Sequence, residues 1–272
     1  MKIAFIGCGA MGGALAAGMI ARQGIDAQNV YVYDKDSERL GAFCGRTGAV
    51  PAASEAEAAA CADVIFICVK PAITAIVSEK IKGLTDGRYV VSVAAGVTVN
   101  SYLEILGRGT KIVRLIPNLP AQKGFGLTGA FYYNFEKSGK DAEVREAVNA
   151  LLATVGEVVE VQKEKMIDEM IAVTSSSPAY FCLMIEAMAD FGVQVGFTRA
   201  DALKMAEQAM MGTAAYMLAE AKHPGVLKDE VCSPGGTTIA AVTSLEKNGF
   251  RKTVLEAMEC CRAKSVKTEG YV

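Results

Sequence analysis

The hydrophobic positions fall into two regimes along the chain. Up to Val161, short runs that are apolar throughout alternate with stretches of helical periodicity. The runs are Lys2–Ile6, Val30–Tyr33, Val64–Val69, Tyr89–Val93 and Lys111–Leu115, with Gly126–Tyr133 and Glu157–Val161 closing the series. Between them, Met11–Gln23, Asp36–Cys44, Ser54–Ala60, Ala72–Lys82 and Asp141–Thr154 carry helical spacing. A strand apolar at every position suits a parallel sheet covered on both faces. The alternation predicts an α/β, doubly wound architecture over residues 1–161. Beyond it the pattern is helical alone: Lys163–Thr174, Ala179–Val195, Arg199–Ala221, Thr237–Lys247 and Arg251–Lys267. Thr198 followed by Asp201 resembles a helix cap, and Asn248-Gly249 a helix stop. Residues 162–272 therefore read as an all-α second domain.

Composition narrows the classes. A length of 272 residues fits two ordinary domains. The net charge is −2, and no block of Lys or Arg marks a nucleic-acid or anionic-membrane binder. The stretch Ile3–Ile20 is nearly uncharged, but five glycines (Gly7, Gly9, Gly12, Gly13, Gly18) break it into a strand, a turn and a helix rather than a leader or a span. No other stretch reads as long and apolar enough to cross a membrane. The eight cysteines form no C-x-x-C pair, and the single histidine, His223, cannot complete a zinc cluster. No metal site is expected, and a reduced, cytoplasmic protein is. Met184, Met188, Met205, Met210, Met211 and Met217 give the second half a helix-packing surface that suits a homodimer or higher homo-oligomer.

Candidate chemistry begins where the first strand meets Gly7-Cys8-Gly9-Ala10-Met11-Gly12. After a strand and opening a helix, G-x-G-x-x-G is the dinucleotide fingerprint of a Rossmann-type sheet. Gly7 permits the turn, Gly9 lets a pyrophosphate approach, Gly12 lets helix and strand pack, and the amides at Ala10 and Met11 open the helix. Asp34 ends the second strand, 22 residues after Gly12, where an acid accepts from ribose hydroxyls. Lys35, Ser37 and Arg39 offer a phosphate partners, so NADPH and NADH both stay open.

The first long helix expected in the second half, where a hydroxyacid dehydrogenase carries the lysine that takes the alcohol proton, has no lysine from Met166 to Ala202, so alcohol oxidation lacks its base there. Reduction of a cyclic imine asks less, because a protonated C=N carbon is already electrophilic. Ser233-Pro234-Gly235-Gly236-Thr237-Thr238 precedes a helix, and its free amides could cradle a carboxylate. An ordinary capped helix would read the same. His223 before Pro224-Gly225 fits a cation at a helix end. Cys260-Cys261 fits helix packing, and Glu220 and Asp229 fit surface or capping positions.

The whole chain resembles the 1-pyrroline-5-carboxylate reductase family. The likeness runs through Phe5–Gly12, Val69-Lys70-Pro71, Ser92–Gly96, Pro117-Asn118, Ser176–Tyr180, Glu186–Asp190 and His223-Pro224-Gly225. Its most specific part is Leu227-Lys228-Asp229 running into Ser233–Thr238. The resemblance implies reduction of 1-pyrroline-5-carboxylate to L-proline at the interface of an intertwined helical dimer. Thr238 would then hydrogen-bond the imine nitrogen, and backbone at Ser233, Gly236 and Thr237 would bind the carboxylate. Val69, Lys70, Pro71, Ala94, Ala95 and Gly96 would line the cofactor groove, with Asn118 near the nicotinamide. Leu119 and Ser175 depart from the family pattern of Thr and Gly.

Overall fold

The computed structural model describes residues 1–23 and 25–266. The chain divides into two compact units: Met1–Ser176 joined by Cys261 and the described residues after it, and Ser177–Cys260.

The strands of the first unit are β1 (Ile3–Ile6), β2 (Val30–Tyr33), β3 (Val50–Pro51), β4 (Val64–Ile67), β5 (Tyr89–Ser92), β6 (Lys111–Ile116), β7 (Gly126–Tyr133) and β8 (Gly156–Glu160). They form one sheet in the order β3-β2-β1-β4-β5-β6-β7-β8. The chain reverses its direction of winding between β1 and β4, which places the ligand crevice of a doubly wound sheet at their carboxyl ends. The helices are α1 (Ala10–Gln23), α2 (Ser37–Thr47), α3 (Glu55–Ala60), α4 (Pro71–Ile81), α5 (Val99–Leu106), α6 (Lys140–Ala153) and α7 (Lys165–Met170). A π-helical turn, Ile171–Ser175, follows α7.

Caps explain several starts. Asp36 accepts from the Arg39 amide at 3.0 Å to open α2, and Thr98 accepts from Ser101 at 3.2 Å to open α5. Ser54 and Glu57 cap each other's amide neighbourhood at α3, through Glu57 N to Ser54 Oγ and Ala53 N to Glu57 Oε2. Two apolar clusters cover the two faces of the sheet. Phe5 stacks on Phe66 with ring centroids 4.6 Å apart on the face holding Leu15, Met19 and Val148. Ile65, Ile67, Ile81 and Tyr102 fill the other face.

The apolar runs mark the long strands and α1, α4 and α6 to within a few residues. The two-residue β3 and the amphipathic α5 escaped that reading. One strand also departs from a purely parallel sheet. β7 runs antiparallel to β6 because the short connection Pro117–Phe125 is too brief for a helical crossover. α6 then supplies a crossover, and β8 returns parallel to β7.

The second unit consists of α8 (Ser177–Gln194), α9 (Arg199–Ala219), α10 (Pro224–Val231), α11 (Thr237–Lys247) and the first part of α12 (Phe250–Val266). Thr198 caps α9, its Oγ1 accepting from the Asp201 amide at 3.1 Å. Gly249, at φ 75°, ends the turn after α11. The expected last helix residue, Lys267, lies outside the described residues. Among the described residues of this unit only Ala189, Ala202 and Ala206 are buried apolar ones, whereas Phe181, Leu183, Phe191, Leu218 and Leu255 are all more than half exposed. The helical run Lys165–Gln194 has the length and composition to cross a membrane. That corrects the reading that no such stretch exists. Pro178 sits in the first turn of α8, where a missing amide costs nothing, so it does not interrupt the apolar pattern.

Candidate active site

The first candidate site lies at the carboxyl ends of the parallel strands. Gly7 adopts φ 100°, and its amide donates to the Tyr33 carbonyl at 2.8 Å. A Cβ on Gly12 would strike the Gly7 carbonyl and stand 2.7 Å from Cys68 Cβ, so strand and helix meet here without room for a side chain. Beside Gly9 nothing stands within 4 Å of where a Cβ would be. The first bond of α1 is Gly13 N to Gly9 O, at 2.8 Å. The amides of Ala10, Met11 and Gly12 therefore have no acceptor inside the helix. An open cradle, free amides and the helix dipole fit a pyrophosphate. The groove, of about 410 Å³, is lined by Cys8, Gly9, Ala10, Gly13, Arg39 and Arg46 among others.

Asp34, 8% exposed at the end of β2, secures this loop. Its carboxylate accepts from the Cys8 amide at 2.9 Å, the Asp36 amide at 3.0 Å and the Arg39 guanidinium at 3.3 Å. Burial pushes its pKa up, but these donors outweigh burial and hold it below the usual carboxylate range. The Cys8 thiol is pushed up to about 12 by burial and by the Asp34 charge, so it stays protonated. Lys35 is exposed. Arg39, a candidate phosphate partner by sequence, bridges Asp34 and Asp36 and also lines the groove.

The neighbouring strand ends carry the other residues expected of a cofactor groove. Val69 and Lys70 lead into α4 with Pro71 at its first position, and Lys70 is exposed. Ala94 is anchored by its amide to Ser92 Oγ at 3.2 Å, followed by Ala95 and by Gly96 at φ 73°. Asn118 follows β6; its Nδ2 donates to the Thr174 carbonyl at 3.2 Å, and its Oδ1 accepts from the Leu127 amide at 2.9 Å. Leu119 is 61% exposed, and Ser175 closes the π turn.

The second candidate site lies within the helical unit. His223 is not a cation at a helix C-terminus, as the sequence reading had it. It caps the start of α10, its Nδ1 accepting from the Gly225 amide at 3.1 Å. That helix had no strong periodicity and was missed. After it, Gly235 adopts φ 68° and the Gly236 amide donates to the Ser233 carbonyl at 3.0 Å. A Cβ on Gly236 would strike Ser233 Oγ. The first bond of α11 is Ala240 N to Gly236 O, so the amides of Thr237, Thr238 and Ile239 are left for another acceptor. Ser233, Gly236, Thr237 and Thr238 thus share one turn. Thr238 lines a cavity of about 640 Å³ with Thr213, Tyr216, Leu227 and Lys228 among others. Lys228 pairs with Asp229 at 2.8 Å. Among the described residues no group of His, Cys, Asp and Glu could hold a metal ion.

One cluster near the groove escaped the sequence reading: Arg114 on β6, paired with Glu164 and Asp168. Its signal was an arginine inside an otherwise apolar strand, Lys-Ile-Val-Arg-Leu-Ile.

A Rossmann-type groove and a helical unit whose Ser233–Thr238 turn leaves amides without intrahelical acceptors fit a nicotinamide-dependent oxidoreductase. Residues 2–96 match the family model for NADP oxidoreductase, coenzyme F420-dependent, and residues 164–268 match that for pyrroline-5-carboxylate reductase dimerisation. The chain is 43% identical to the pyrroline-5-carboxylate reductase of Escherichia coli over 98% of its own length and 97% of that protein's. It is 38% identical to that of Corynebacterium melassecola, over 97% of each. The solved pyrroline-5-carboxylate reductase of Coxiella burnetii superposes with a TM-score of 0.91 at 30% identity, covering 98% of both chains. The Plasmodium falciparum enzyme, solved with NADP bound, gives 0.85 at 30% identity, over 99% and 98%. The chain belongs to the pyrroline-5-carboxylate reductase family.

Proposed function

We propose the following division of labour. The protein reduces 1-pyrroline-5-carboxylate to L-proline with NAD(P)H, the last step of proline biosynthesis. Residues 1–161 serve as the dinucleotide-binding half and 162–272 as the substrate-binding and dimerisation half. When bound, the nicotinamide cofactor supplies a hydride to the imine carbon. Gly7, Gly9, Ala10, Met11 and Gly12 cradle its pyrophosphate, and Asp34 with Lys35 faces the adenosine ribose. Val69, Lys70, Pro71, Ala94, Ala95, Gly96 and Asn118 border the remainder of the cofactor.

The substrate carboxylate is held by backbone at Ser233, Gly236 and Thr237, whose turn leaves amides without intrahelical acceptors. Thr238, next along α11, orients the imine nitrogen. It need not donate a proton, because the imine can bind already protonated. The observation that carries this reading is the open anion-binding turn formed by the same residues that match the family most specifically. Oligomerisation is supported by the exposed apolar side chains of the helical unit, which has almost no core of its own. Eight free thiols suit a reducing compartment, the cytoplasm.

The test is imine-dependent loss of nicotinamide absorbance with 1-pyrroline-5-carboxylate, run with NADH and NADPH side by side. Turnover with either supports the assignment. Protein that binds dinucleotide but leaves five- and six-membered cyclic imines unreduced would overturn it.

A further inference from the structure

β6 places a positive charge where a sheet covered on both faces ordinarily takes an aliphatic side chain. Arg114 is only 2% exposed. Its Nη2 donates to Asp168 Oδ1 at 2.9 Å and its Nη1 to Asp168 Oδ2 at 3.2 Å, a forked pairing. Nη1 also donates to Glu164 Oε1 at 2.7 Å. That same Glu164 oxygen accepts from the Val99 amide at 2.6 Å.

These bonds connect three pieces of the groove. Val99 opens α5, three residues after Gly96 of the Ala94-Ala95-Gly96 segment. Arg114 lies four residues before Asn118 in the sequence. Glu164 and Asp168 hold α7, which runs into the π turn whose Thr174 carbonyl Asn118 contacts. On the adjoining strand, Ser92 is the register partner of Arg114 and holds the Ala94 amide through its hydroxyl. π turns are often found at functional sites.

Stability does not account for the cluster. Removing charges from water costs several kcal/mol per ion, and apolar replacements of buried ion pairs are often neutral or stabilising. What charged hydrogen bonds add over an apolar cluster is direction. We propose that Arg114, Glu164 and Asp168 are positioning residues for the reduction, a buried triad that keeps the 94–99, 117–118 and 171–175 segments in register on the nicotinamide side of the groove. This rests on the reductase reading above.

The test compares Glu164→Gln, Asp168→Asn and an apolar triple variant (Arg114→Met, Glu164→Met, Asp168→Leu) with the unaltered protein. ADP-ribose probes the adenosine half of the groove, and NAD(P)H probes the whole. Melting temperature and kcat with 1-pyrroline-5-carboxylate complete the measurement. In the apolar triple variant ADP-ribose affinity and melting temperature should hold; the single variants, which leave buried Arg114 short of an anionic partner, should melt lower yet keep ADP-ribose affinity when folded. In all three, kcat or NAD(P)H affinity should fall by about tenfold or more, as expected of misplacement at a reacting centre. Should the triple variant misfold, the two isosteric single variants carry the same comparison. A folded variant with unaltered kcat and NAD(P)H affinity overturns the proposal. So does a parallel loss of ADP-ribose and NAD(P)H affinity, which marks a purely structural role. If the unaltered protein fails to reduce the imine, the functional reading falls, while the ADP-ribose and NAD(P)H comparison still judges the triad.

Discussion

Two glycines of the same loop should respond oppositely to the same added methyl group. At Gly9 a Cβ meets nothing within 4 Å, and the backbone is not in the left-handed region. Gly9→Ala should therefore leave the fold intact, or stabilise it by about 0.4–1 kcal/mol by restricting the unfolded chain. At a few degrees per kcal/mol, that is a melting temperature equal to or slightly above the parent. The new methyl would stand where a pyrophosphate must approach. Displacing one charge-assisted hydrogen bond there costs about 1.5–3 kcal/mol, a roughly 10- to 150-fold rise in dinucleotide Kd. Gly12→Ala is different, since its Cβ would strike the Gly7 carbonyl and crowd Cys68 Cβ at 2.7 Å. Backbone cannot rotate away as a side chain can. The upper end of the overpacking range, about 3 kcal/mol, should appear as lost thermal stability. Nucleotide binding by calorimetry and melting by circular dichroism separate the two effects. A Gly9→Ala protein that binds NAD(P)H as tightly as the parent would refute the cradle.

Other consequences follow from the same geometry. Thr238→Ala should fold and lose one hydrogen bond to the charged iminium, about 1.5–3 kcal/mol, lowering kcat by roughly 10- to 150-fold; a folded, nucleotide-binding variant with no activity would refute the orienting role. Asp34 is held below the usual carboxylate range, because donors from Asp36, Cys8 and Arg39 outweigh the opposing effect of burial. A depressed pKa means stability that is present at neutral pH and lost as pH falls through the carboxylate range. Acid unfolding of Asp34→Asn should therefore show a shallower pH slope than the parent, and an identical slope would count against the site. Phe191, 63% exposed on α8, should be buried in the assembled protein. Phe191→Glu should weaken self-association in sedimentation by tenfold or more, on the order of 1.4 kcal/mol, while the monomer's helix content holds.

Much of this protein is written locally. Val30–Tyr33 and Gly126–Tyr133 are strands because their side chains fit a covered sheet, and α11 runs from Thr237 to Lys247 between Gly236 and Asn248-Gly249. The glycine loop and the Ser233–Thr238 turn are legible for the same reason: each depends on residues adjacent in sequence whose backbone freedom or hydroxyls leave one conformation favourable. Tertiary structure decided what adjacency cannot express. β7 turned antiparallel because of the length and path of a loop, not because of its own pattern. Arg39 is laid by α2 across Asp34 and Asp36, a pairing no local pattern announces. His223 exchanged a helix end for a helix start once α10 formed. The Arg114 triad joins residues 50 and 54 positions apart, and only the packing of α7 on the sheet brings those charges together.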